Sequence, residues 1–149
     1  METLLKFKSG KKGGMVAFVK EVGEGEEKYL KPIYTREEAK IVICDKAFKA
    51  EKGKRYIAKV KPMLSRKGYI VTSLTPLSPT EVSFKETNLG GFKELIITVE
   101  NNWEESSFVL ERKPKGVQLP YDPKSILVQI KQRLTEEQKE EIKRRVERW

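Results

Sequence analysis

The chain has no histidine, a single cysteine and only two aspartates among its 149 residues, and each scarcity closes off chemistry. Without histidine the commonest general base and a frequent metal ligand are missing, and every Ser-His or Cys-His arrangement is excluded. Cys44 has no second thiol to pair with. It follows Ile41, Val42 and Ile43, which marks it as an inert buried thiol rather than a nucleophile. Asp45 and Asp122 stand beside 20 glutamates. A metal-dependent nuclease built from Asp45, Glu51 and Lys54 around Mg²⁺ is therefore the least supported reading, because such spacings arise by chance in so glutamate-rich a chain. No motif calls for a cofactor or a resident metal. Long apolar runs are also missing. Nothing approaches the roughly 20 residues that cross a bilayer, and residues 1–8 lack a signal-peptide core, so a cytoplasmic protein without membrane contact is expected. Three asparagines and four glutamines against 23 lysines is the composition expected of a hyperthermophile.

What is abundant is positive charge, and it is unevenly placed. Residues 46–67 carry nine basic side chains against the single acid Glu51. Residues 1–79 hold 18 Lys and Arg against 9 acids, whereas residues 80–149 hold 13 against 13, so the entire net charge of +9 belongs to the first part. Concentrated like charge costs self-repulsion in a compact state, which argues for an anionic partner, with nucleic acid the first candidate.

Turn residues divide the first two thirds into short strands. Residues 3–8 and 15–22 read as a hairpin around the glycine-rich loop that carries Lys11 and Lys12. That loop lacks the GxxxxGK[ST] pattern of a nucleotide-binding P-loop. Pro32 restricts residues 29–34 to an edge strand, and residues 35–38 have the spacing of a capping box ahead of a strand at 40–44. Residues 55–63 and 69–77 form a second hairpin through a cationic turn containing Arg66 and Lys67. Strand alternation then aims Arg55, Ile57, Lys59, Lys61 and Met63 one way and Tyr56, Ala58, Val60 and Leu64 the other. Pro62 places this strand at an edge or a bulge. Strands at 80–86, 94–100 and 106–112 follow, with Trp103 expected to pack across strands. The period changes after Pro120. Asp122-Pro123 and Thr135-Glu136-Glu137-Gln138 are start signals for two helices, or one kinked helix, whose apolar stripes pass through Ile126, Leu127, Ile130 and Leu134, then Ile142, Val146 and Trp149.

The expected fold is mainly β (α+β): a compact antiparallel barrel or sandwich over residues 1–120, then a helical segment over 121–149 packed upon it. Residues 13–86, with a basic central hairpin and a variable connection ahead of it, are similar to an OB-type barrel, and residues 80–119 add further strands. The charge pattern implies a non-catalytic, sequence-tolerant binder of single-stranded DNA or RNA. Arg55, Lys59, Lys61, Arg66 and Lys67 would neutralise phosphates, Phe48, Tyr56 and Tyr69 would stack bases, and Lys11 and Lys12 would add an outlying contact. The rival from another class is a structural or adaptor protein that binds an acidic partner and forms homo-oligomers through its C-terminal helices.

Overall fold

In the computed structural model, residues 1–10, 13–33, 39–64, 67–112 and 121–149 are described. The chain divides into two compact units, residues 1–77 and 78–149. The strands at 81–112 are thus grouped with the C-terminal helices in the second unit. Ser78 and Pro79 are uncharged, so the charge partition coincides with this boundary and the whole +9 surplus lies in the first unit.

The first unit is a curled, barrel-like sheet. Its strands are β1 (Glu2–Lys6), β2 (Lys8–Ser9), β3 (Met15–Val22), β4 (Tyr29–Pro32), β5 (Lys40–Cys44), β6 (Arg55–Pro62) and β7 (Gly68–Pro76). Hydrogen-bonded order runs β1, β6, β7, β5, β3, β2, with β4 beside β3. β1 and β2 are successive stretches of one N-terminal segment, yet β1 pairs with β6 and β2 with β3, so this segment serves both margins of the sheet. All pairings are antiparallel except that of β5 with β7. Gly68 sits where those two parallel strands meet, and a Cβ there would come 2.6 Å from the Ile41 carbonyl oxygen. Only glycine fits that approach.

Inward side chains alternate with outward ones along each strand. Leu5, Phe7, Ala17, Val19, Val42, Cys44, Tyr56, Ala58, Val60, Tyr69 and Val71 form the first core. β6 lies between β1 and β7 rather than at an edge, and its register against β7 shifts between Lys59 and Val60, where Thr72 of β7 is the extra residue. Pro62 itself stands in register opposite Tyr69, so neither the expected edge nor a bulge at Pro62 is found. Leu64, expected to point inward, is fully exposed beyond the end of β6. The predicted capping box at 35–38 lies outside the described residues.

A half-buried carboxylate on β3 links three other parts of the sheet. The Glu21 carboxylate accepts from Lys28 Nζ and Lys40 Nζ, each at 2.6 Å, and from the Tyr69 hydroxyl. Two ammonium groups and a phenol hold this carboxyl well below its usual range, at about 2, the Lys28 contact being the largest cause. Burial, then the neighbouring carboxylate, pushes Tyr69 up to about 12.

The second unit is a three-stranded meander of β8 (Glu81–Leu89), β9 (Phe92–Glu100) and β10 (Glu105–Arg112), followed by α1 (Pro123–Leu127) and α2 (Glu136–Arg148). The turn between β8 and β9 is only Gly90-Gly91, both at positive φ, so pairing extends to Leu89 and Phe92, beyond the predicted strand ends. Leu95, Ile97 and Val99 of β9 enter a core with Leu110, Ile126, Ile142 and Val146. Both helix starts are as the residues predict. Asp122 accepts from the Lys124 N–H at 3.0 Å with Pro123 in the first turn, and Thr135 and Gln138 form a reciprocal capping box. α1 stops at Leu127, although its stripe continues in sequence to Leu134. Trp103, expected to pack across strands, is instead 36% exposed in the turn after β9. No helix among the described residues is long and apolar enough to cross a membrane.

Candidate functional site

The outward face of the first sheet is assembled by four pairings. Lys8 lies opposite Val16, Val16 opposite Ile43, Ile43 beside Ile70, and Ile70 opposite Lys61. Residues opposite one another share a face, so these five side chains form one row across β2, β3, β5, β7 and β6. At about 4.8 Å per strand gap the row is about 19 Å long. Its three aliphatic members are half-buried and the two lysines at its ends are exposed. Phe18, two residues along β3 from Val16, shares the face, and Lys8 Nζ stands 4.7 Å from its ring centroid. The row therefore has an apolar floor with a cation at either end.

The predicted phosphate contacts divide into three groups. Lys61 belongs to the row, and Arg55 and Lys59 follow it along the same outward side of β6, with Arg55 half-buried and Lys59 exposed. Lys59 lies 3.7 Å from Glu2, an exposed pair that contributes little. Lys67 is exposed just ahead of β7. Lys11, Lys12 and Arg66 lie outside the described residues, in the connections from β2 to β3 and from β6 to β7.

The predicted stacking rings need correction. Tyr56 is 5% exposed and packs on Phe7, with ring centroids 6.1 Å apart, while its hydroxyl accepts from the Glu51 N–H at 2.8 Å. Tyr69 is 4% exposed and its hydroxyl is committed to Glu21. Both rings have entered the core and neither offers a free face to a base. Phe48, at 38% exposed, remains available on the 3₁₀ turn formed by Lys46–Phe48. That turn begins at Asp45, which accepts from the Ala47 N–H at 2.8 Å, and ends at Lys49, a non-glycine residue in left-handed backbone at φ 53°. Tyr56→Phe is expected to cost about 1 kcal/mol of stability through the lost hydrogen bond while leaving any nucleic-acid affinity unchanged. Thermal melts and a binding titration of the variant check this, and a matching loss of affinity would restore Tyr56 to the site.

Lys8 and Phe18 were not foreseen. Lys8 sat in a strand with only two paired residues, and Phe18 carried no charge signal. What aligns them with Ile43, Ile70 and Lys61 is long-range register. For the nuclease reading, Asp45 caps its own turn and Glu51 lies 4.0 Å from Lys54; among the described residues no group of three Asp, Glu or Cys side chains is placed to hold a metal ion.

Comparison with known proteins gives no match to any family model, curated protein or solved structure.

Proposed function

We propose that residues 1–77 form an OB-type barrel that binds single-stranded DNA or RNA without base preference, across the outward face of β3, β5 and β7. The observation that carries this reading is the row of Lys8, Val16, Ile43, Ile70 and Lys61 within the unit that holds the whole charge surplus. An apolar floor with cations at its margins suits a strand whose bases lie on the sheet and whose phosphates turn toward solvent. Duplex hides its bases and gains nothing from such a floor.

Strand order supports the OB assignment. An N-terminal segment pairs with both the second and fourth barrel strands, and the third and fifth barrel strands, β5 and β7, run parallel. Oligonucleotides in that architecture lie on the face of its second and third strands, here β3 and β5, between the loop after the first strand and the loop before the fifth. In sequence, the first of these loops carries Lys11 and Lys12 and the second carries Arg66 and Lys67. Phe18 and Phe48 take the stacking roles that buried Tyr56 and Tyr69 have vacated.

The rival is an acidic protein partner, which would respond to charge but not to bases. A fluorescent oligothymidylate bound to the protein is challenged with unlabelled oligothymidylate, duplex of the same length and polyglutamate of equal charge. Displacement by the single strand at concentrations well below those of duplex or polyglutamate is expected. Equal displacement by polyglutamate would reject the nucleic-acid reading in favour of the adaptor.

A further inference from the structure

The second unit has equal numbers of acids and bases, yet the outward face of its sheet is strongly acidic. Leu95, Ile97 and Val99 of β9 enter the core, so alternation turns Glu94, Ile96, Thr98 and Glu100 to the opposite face. Register then fixes their neighbours. On β10, Glu111, Val109, Ser107 and Glu105 stand opposite those four in that order. Each of the two strands thus presents a track of glutamate, aliphatic, hydroxyl and glutamate, and like lies against like. On β8, Glu81 stands opposite Glu100 and Lys85 opposite Ile96, so the face holds five glutamates against one lysine. Like charges directly opposed across strands are destabilising, and here they meet at Glu94 with Glu111 and at Glu100 with both Glu105 and Glu81. None of the five makes a salt bridge among the described residues. The centre of the face is open as well, with Val109 at 51% exposed and Ile96 half-buried. Unrelieved carboxylates around an uncovered aliphatic centre call for a cationic partner.

The spacing of the tracks matches a surface of the first unit. Glu94 and Glu100 lie six residues apart, about 20 Å along β9, with Ile96 and Thr98 between them. Lys8 and Lys61 end a row about 19 Å long whose middle is Val16, Ile43 and Ile70. Laid together, cation falls on carboxylate at both ends and aliphatic on aliphatic between. The row runs across its strands and the track along its own, so the match crosses the two sheets at near right angles, an established way for sheets to pack. We propose that the acidic sheet face of one molecule docks on the basic row of a second copy of this chain. The two surfaces differ, so the contact is head-to-tail and either closes into a ring or grows into open chains. It covers the row assigned above to single-stranded nucleic acid, which makes the second copy and the nucleic acid competitors. The self-contact stands on charge and register alone; only the competition rests on the nucleic-acid reading.

Sedimentation of the intact chain over a range of concentrations measures the association. At low salt the weight-average mass is expected to rise to about twice that of the monomer or more, and to return to the monomer at about 1 M salt, where charges are screened beyond about 3 Å. A monomer at every concentration overturns the proposal. Glu94→Gln/Glu100→Gln/Glu105→Gln/Glu111→Gln relieves opposed charges on a solvent-facing side, so it should fold at least as well as the parent and stay monomeric at low salt. Association as strong as the parent's in that variant rejects the face. Charge exchange tests the pairing itself. Lys8→Glu/Lys61→Glu and Glu94→Lys/Glu100→Lys are each expected to be monomeric alone and to associate when mixed. A mixture that stays monomeric, or either variant associating alone like the parent, overturns the contact. Oligothymidylate separates the two readings, and its binding is expected to return the assemblies to monomer. Binding that leaves them intact rejects the shared surface and the proposal with it. Assemblies that obey the charge exchange but bind no oligothymidylate uphold the self-contact and reject the nucleic-acid reading.

Discussion

Replacing Lys8, Lys61 and Lys67 together with glutamine is expected to weaken single-strand binding about 100-fold at 0.1 M salt. The magnitude follows from counterion release. Each phosphate contact on a single strand contributes about 0.7 to the log–log salt slope, so three lost contacts remove about two units of slope and about two decades of affinity at that salt. All three lysines are exposed and none makes a salt bridge among the described residues, so the fold should be indifferent to the change. Lys8 alone gives up a contact, its approach to Phe18 at 4.7 Å, and an exposed cation–π contact contributes only about 0.5–1 kcal/mol. Anisotropy titrations of the triple variant and the parent check the prediction. An unchanged slope would mean that the row does not meet phosphates. A control triple, Lys124, Lys131 and Lys143 to glutamine in the second unit, should leave the slope unaltered.

The second large effect concerns Glu21. Its carboxyl is held at about 2 by Lys28, Lys40 and Tyr69 against an ordinary value of 4.5. A group with a depressed folded pKa contributes stability that is fully present above 4.5 and is lost as pH falls from there to about 2. The full shift corresponds to about 3 kcal/mol; with the side chain 21% exposed, solvent screening brings this to about 2 kcal/mol. Tyr69 mirrors this at the alkaline end. Its pKa is raised from 10 to about 12, so its contribution is present below 10 and is lost across that interval. Glu21→Gln should lower the midpoint of the first unit by about 10 °C at pH 7 and flatten its stability between pH 5 and pH 2. Thermal melts over that range measure both. A variant as acid-sensitive as the parent would place the acid transition in other carboxylates.

What the sequence makes legible depends on range along the chain. Local signals were faithful: the capping box at Thr135 and Gln138, the proline after Asp122, and the outward alternation of Arg55, Ile57, Lys59 and Lys61 all stand as the residues imply. That same alternation already turned Tyr56 inward. The stacking role given to it rested on its basic neighbours, and geometry overrode composition. The unit boundary after Leu77 coincided with a charge boundary that was visible, but strands 81–112 resemble those before them and period alone could not assign them to the helices. The row itself was beyond reach, since joining Lys8 to Lys61 takes four registers, one of them parallel and one beyond a bulge. A one-residue slip in any of them would put the opposite side chains on that face.

The most direct measurement is the affinity of the intact chain for oligothymidylate, random-sequence RNA and duplex DNA at two salt concentrations. Four to six phosphate contacts predict log–log slopes near −3 to −4 on both single strands and weaker binding to the duplex at each salt. Affinity that is flat with salt, or that favours the duplex, would contradict the assignment of this face to single-stranded nucleic acid.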